Sequence, residues 1–299
     1  MKLQPNFLTL GSKIAIISPA GIVDEDYVFS ASNSLKSQGF LPVVYPNALN
    51  KYHQFSGRDQ DRLSDLQNAL DNQEIKAILC ARGGYGLLRI IDKIDFSNFL
   101  KSPKWVIGFS DITNLHLALN KMNAMSIHAQ MTKAFHDNES FESVDSLIKL
   151  LKGDIPNYEL NINKLNRFGT AEAELIGGNL SILYSLQGTK FEPETDGKIL
   201  FIEDLNEYLY HLDRMMLNLR LSGKLKKLKG LVVGSFTDMK DNQNSFGKTA
   251  YEIIKEHVSD YDFPVCFDFP AGHIKNNMPL VVGLKYKLVV DSEFASLFV

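Results

Sequence analysis

Along the first half of the chain, apolar residues fall into short continuous runs: KIAIIS (13–18), LPVVY (41–45), KAILCA (76–81) and KWVIGF (104–109). Between them apolar positions recur at helical spacing, over Glu25–Ser37, through RDQDRLSDLQNALDN (58–72), after Tyr85, and from Asp111 to Met122. This alternation predicts βαβα order. Strands that read as unbroken apolar runs predict a parallel sheet covered by helices on both faces, with ligands beyond the carboxyl ends of the strands. The loops SPAG (18–21), ARGGYG (81–86) and GFSD (108–111) each follow a strand, so they are expected to gather at one edge.

After a helical segment near 141–152, the stretch KGDIPNYELNINKLNRFG (152–169) breaks the pattern with Gly, Pro and repeated Asn, and reads as a linker. The second half carries AEAELIGGNLSILYSL (171–186), KILFIED (198–204), a helix through YLYHLDRMMLNLRLSG (208–223), GLVVGSF (230–236), a helix near 248–258, and late strands in PLVVGLKYKLVV (279–290) and SLFV (296–299). Two domains are expected. Residues 1–155 form a parallel α/β domain, and residues 166–299 form a smaller mixed β/α domain. No internal repeat or low-complexity tract is present.

At 299 residues, with 44% hydrophobic and 22% charged residues, the chain has the balance of a soluble protein with well-filled cores. Its 32 basic and 35 acidic residues give a net charge of -3 without a long basic run, which argues against nucleic acid and anionic membrane surfaces as partners. Cys80 and Cys266 sit among apolar neighbours and read as buried thiols. The first residues, MKLQPNFLTLGSK, hold no apolar core of signal-peptide length, and no run approaches a bilayer span, so the expected location is cytoplasmic. No His, Cys or Asp cluster has metal-ligand spacing, and no cofactor is expected.

The candidate chemistry lies in the loops. Ser110 stands where a strand turns into a helix, behind Gly108; it suits a helix cap, or a nucleophile whose developing charge faces the helix N-terminus. The second Gly of the usual G-x-S-x-G elbow is replaced by Ile112, which weakens an α/β-hydrolase assignment. RGGYG (82–86) exposes backbone amides suited to a phosphate or an oxyanion, although tight packing at a strand end also selects Gly. Arg82 could pair with a substrate carboxylate or with a neighbouring acidic side chain. Of the seven histidines, His273 lies in the loop FPAGHIKNNMPL, held by Pro and Gly, where a general base is plausible chemistry. His53, His116, His128, His136, His211 and His257 have contexts of satisfied or solvated imidazoles. Glu203 ends an apolar strand, which suits a carboxylate that orients a base, with Asp204 beside it as a rival.

Taken together, KIAIISPAG, ARGGYG, IGFSDIT, LFIEDLNEYLYHLDRMML, GLVVGSF and AGHIKNNMPLVVG resemble the LD-carboxypeptidase family, over nearly the whole chain and in order. That family includes muramoyl-tetrapeptide carboxypeptidases and a self-immunity peptidase that inactivates microcin C. The resemblance implies a serine peptidase with the triad Ser110, Glu203 and His273, and oxyanion donors in the backbone amides of Gly84 and Asp111. It implies a nucleotide-binding-like parallel domain joined to a smaller swivelling β/α domain, and members commonly form homodimers. The implied reaction removes the terminal D-alanine of a muropeptide tetrapeptide in peptidoglycan recycling, with Arg82 as a candidate for the free carboxylate.

Two other readings stay open. One is a microcin-immunity-type peptidase acting on an aminoacyl-nucleotide amide, whose extra loop near the active site has no counterpart here. The other is a non-catalytic binder of a nucleotide or sugar phosphate, which would lack both a P-loop and a full G-x-G-x-x-G.

Overall fold

The computed structural model describes residues 2–299. The chain divides into two compact units, one of residues up to 155 with 275–281, the other of 156–274 with 282–299. Residues 275–281, assigned above to the second domain, therefore return to the first.

The first unit alternates β1 (Lys13–Ile17), α1 (Glu25–Ser37), β2 (Leu41–Val44), α2 (Asp59–Asp71), β3 (Ile75–Cys80), α3 (Ser97–Lys101), β4 (Trp105–Gly108), α4 (Thr113–Lys121), β5 (Ser126–His128) and α5 (Phe141–Leu151). With β11 (Leu280–Val282) they form a six-stranded sheet in the order β11-β5-β4-β3-β1-β2, and the pairs from β2 through β5 are parallel. The central strands are buried along their length because neighbours and helices cover both faces. The edge strand β2 departs from that rule: Leu41, Val43 and Val44 are exposed, although LPVVY reads as a core run. Edge position, which the local pattern does not encode, decides its burial.

The helix expected after Tyr85 is also replaced. Two 3₁₀ turns, Leu87–Arg89 and Ile91–Lys93, precede the short α3. Gly86, with φ 144°, lies outside helical space, so the segment starts from a turn instead of an N-cap.

The second unit contains β6 (Tyr158–Asn161), β7 (Gly169–Asn179), α6 (Leu180–Ser185), β8 (Ile199–Leu205), α7 (Leu209–Leu221), β9 (Gly230–Thr237), α8 (Ala250–His257), β10 (Val265–Cys266), β12 (Lys285–Val290) and β13 (Phe294–Phe298). Its seven-stranded sheet, ordered β10-β9-β8-β7-β12-β13-β6, is parallel from β7 to β10 and antiparallel from β7 through β12 and β13 to β6. β6 lies inside the stretch read as linker; it is a mostly exposed edge strand, so its sequence shows little apolar pattern. Cys80 and Cys266 are free and buried. Among the described residues no helix is long and apolar enough to cross a membrane.

Candidate active site

The corner at Ser110 is built by its neighbours. β4 ends at Gly108, Phe109 is extended, and Ser110 has φ 63° before the chain enters a 3₁₀ turn and then α4. A left-handed conformation costs a residue with a Cβ roughly 1–2 kcal/mol, and such strain gathers at functional positions. The Ser110 hydroxyl does not cap the helix that follows it. His116 secures the corner from below: its Nε2 meets the Gly108 carbonyl at 2.8 Å and its Nδ1 meets the Ser126 hydroxyl at 2.8 Å. Burial pushes the His116 imidazole down to about 4, so it is a neutral structural group.

The glycine loop after β3 lies directly on this corner. A Cβ on Gly83 would come within 2.8 Å of the Ser110 Cβ and 3.1 Å of its hydroxyl oxygen, so only glycine permits the approach. Gly83 accepts a hydrogen bond from the Gly21 N–H at 2.8 Å, which joins the SPAG loop to it. The next amide, on Gly84, donates to no protein acceptor among the described residues, as an amide reserved for a ligand would.

Asp111 is buried and caps no backbone N–H of the helix that follows it. Its Oδ2 accepts the Leu87 N–H at 2.8 Å, and its Oδ1 accepts from the Asn114 Nδ2 at 3.0 Å. Burial raises its carboxyl to about 6, against the opposing hydrogen bonds and the Arg62 charge. Arg82 is exposed and donates through Nη1 to the Ile22 carbonyl at 2.6 Å, with no acidic partner among the described residues.

In the second unit, β8 delivers Glu203 to its carboxyl end. The β8–β9 register shifts between Ile202 and Asp204, and this irregularity falls on Glu203. The two neighbouring carboxylates then part in role. Asp204 Oδ1 accepts the Asn179 Nδ2 at 2.9 Å and its Oδ2 accepts the Ser181 N–H at 2.9 Å, so it serves the start of α6. Burial, reinforced by the Glu203 charge, raises Asp204 to about 7.

Glu203 is wholly buried, and its Oε2 accepts from His273 Nδ1 at 2.7 Å while Oε1 has no partner among the described residues. Gly272 admits this contact, since a Cβ there would lie 2.9 Å from the Glu203 Cβ. Burial disfavours a charged His273, but the Glu203 hydrogen bond and charge, helped by Asp204, outweigh it and raise its pKa. Donation from Nδ1 to a carboxylate sets the tautomer in which Nε2 is the proton acceptor.

The structure thus brings Glu203 to His273 in one unit and, in the other, lays the glycine loop that carries Gly84 on the Ser110 corner through Gly83. Sequence reasoning missed Arg62, whose guanidinium is buried beneath the glycine loop. Its signal was there: Arg62 shares the α2 face of Leu66, Ala69 and Leu70, where a cation needs buried acceptors. Among the described residues no group of three or more His, Cys, Asp or Glu is placed to hold a metal ion.

Comparison with known proteins extends this picture to both units. Residues 14–129 match the LD-carboxypeptidase N-terminal domain and residues 172–288 the LD-carboxypeptidase C-terminal domain. The chain is 33% identical to a probable murein peptide carboxypeptidase of Bacillus subtilis, over 95% of this chain and 91% of that protein. It is 28% identical to the murein tetrapeptide carboxypeptidase of Pseudomonas aeruginosa, over 90% of each. The crystal structure of muramoyltetrapeptide carboxypeptidase from Oxalobacter formigenes superposes with a TM-score of 0.87 at 31% identity, covering 95% of this chain and 97% of that one. With both domain models matched in order, and relatives above 30% identity along almost its whole length, the chain belongs to the LD-carboxypeptidase family.

Proposed function

We propose that this protein is a serine LD-carboxypeptidase that removes the terminal D-alanine from muropeptide tetrapeptides, cutting the bond after the L-centre of a diamino acid, in cytoplasmic peptidoglycan recycling. The observation that carries the reading is the Glu203–His273 pair: a fully buried carboxylate whose one partner among the described residues is an imidazole. A buried anion is costly unless the charge it stabilises matters, and the imidazolium of acyl transfer is such a charge. A binding protein for nucleotides or sugar phosphates has no use for it.

In this mechanism Ser110 is the nucleophile. His273 takes its proton through Nε2 as the hydroxyl oxygen bonds to the scissile carbonyl carbon, and Glu203 stabilises the imidazolium. The Gly84 and Asp111 amides hold the oxyanion. Collapse of the tetrahedral intermediate breaks the C–N bond, and His273 returns the proton to the departing D-alanine amine. Water then attacks the acyl-enzyme by the same route and frees the tripeptide. The strained φ of Ser110 and its missing cap role support the nucleophile over the helix cap. Arg82, exposed and without an acidic partner, is the proposed anchor for the substrate's terminal carboxylate.

Mass spectrometry of a muropeptide tetrapeptide incubated with wild type and with Ser110→Ala tests the reading. Wild type should release one D-alanine and the variant none. Release by both, or by neither, would remove it.

A further inference from the structure

The Gly86–Leu87 peptide unit is held at both of its polar ends by buried charges. Its carbonyl accepts from Arg62 Nη1 at 2.8 Å, and its N–H donates to Asp111 Oδ2 at 2.8 Å. Arg62 and Asp111 are each 1% exposed. The same Arg62 nitrogen donates to the Pro19 carbonyl at 2.9 Å, and the guanidinium pairs with Asp59 and lies 5.0 Å from the Phe55 ring centroid. One cation thereby ties the SPAG loop to the glycine loop. One anion ties the glycine loop to the residue after Ser110.

Gly86 is the only residue type that fits between them. Its φ is 144°, and a Cβ there would stand 2.6 Å from Arg62 Nη1. The loop is thus fixed at Gly83 by the Gly21 N–H and at Gly86–Leu87 by the charge pair, with the unpaired Gly84 amide between the two points. Hydrogen bonds to charged groups are the strong ones, and two opposite charges on one peptide polarise it cooperatively.

We propose that Asp111 and Arg62 are positioning residues that grip the Gly86–Leu87 peptide from its two ends and so hold the Gly84 N–H as an oxyanion donor beside Ser110. Asp111 then has two separable parts, its backbone amide toward the oxyanion and its side chain toward the loop that supplies the other donor. This rests on the proposed role of Ser110 as nucleophile.

The clamp also titrates. The Asp111 carboxyl faces Arg62 from α2, Asn114 from α4, the Gly86 and Leu87 amides, and the Cys80 thiol from β3, and burial places it near 6. It is ionised and gripping at neutral pH. Below about 6 the proton replaces the charge that holds the Leu87 amide. Protonation of His273 suppresses activity in the same direction, so wild-type kcat/KM should fall with two protons at the acid end.

The test uses Asp111→Asn and Arg62→Lys in the full chain, with unfolding midpoints to confirm that each is folded. On the muropeptide, kcat per folded enzyme should drop about 10²–10³-fold, the usual cost of losing an oxyanion donor, while KM stays within about threefold. In Asp111→Asn the acid limb should fall with one proton instead of two. The Leu87 amide should exchange with deuterium at least about tenfold faster in both variants, as expected when a charge-assisted bond is lost. The rate at which a fluorophosphonate labels Ser110 should fall with kcat, which reads the oxyanion site without the natural substrate.

If wild type is labelled but releases no D-alanine, the substrate reading fails while exchange and labelling still decide the clamp. Unchanged Leu87 exchange, or folded variants with labelling rates within threefold of wild type, would overturn it, as would a wild type that is not labelled at all.

Discussion

At the scale of single residues the proposed chemistry turns on His273, whose pKa lies above the ordinary histidine value because Glu203 outweighs burial. A general base works only when neutral, so kcat/KM should rise with pH through a midpoint above 6.5. Glu203→Gln removes the charge and leaves burial as the larger influence, so the midpoint should move below 6.5. The rate should fall about 10³–10⁴-fold, because the amide neither stabilises the imidazolium nor enforces the tautomer. A pH profile of the residual activity checks both, and an unmoved midpoint would show that the pair is not coupled in solution. The sequence offers Ser110, Glu203 and His273 as candidates because each sits at a strand end or in a Gly- and Pro-framed loop, and the resemblance over six segments gives them a proposed joint purpose; of these contacts the structure shows the one between Glu203 and His273. The hold of Arg62 and of the Asp111 side chain on the glycine loop is not readable in the sequence, since the carbonyl and the amide that they grip each lie 24 residues away along the chain.

Among the elements, the parallel strands were readable wherever both faces are covered, and unreadable at the edges, where β2 is apolar yet exposed and β6 is polar yet paired. The irregularity that falls on Glu203 left no mark in KILFIED, because register is set by the neighbouring strand. What positions His273 is the meeting of that strand end with the loop at Gly272, whose φ is 121°. Gly272→Ala places a methyl group 2.9 Å from the Glu203 Cβ in a conformation that L side chains rarely adopt. The strain, roughly 1–3 kcal/mol, should lower the unfolding midpoint. The displaced His273 should cost more than about 10²-fold in kcat, given the sensitivity of such geometry to 1 Å shifts. Circular dichroism and steady-state kinetics on the same preparation check this; full activity would mean that the loop relaxes without moving the imidazole.

At the scale of the whole molecule the two units are not two consecutive pieces of chain. Residues 275–281 leave the second unit and supply β11 to the sheet of the first, against β5. Leu280, Val281 and Val282 are buried there, and the Asn277 Oδ1 accepts from His128 Nε2 at 3.2 Å. Burying three such side chains is worth about 1.5–3 kcal/mol each, together comparable to the 5–15 kcal/mol stability of a domain. A fragment ending at residue 155 therefore lacks a strand that its sheet requires, although the linker composition alone makes 155 look like a clean boundary. Expressed alone, it should show a broad, weakly cooperative urea transition and slow aggregation through the open β5 edge. Supplying 275–282 through a short glycine-rich linker after residue 155 should restore a single sharp transition. Equal transitions for the two fragments would show that β11 adds nothing to the first unit, and that the strand is held in place only within the whole chain.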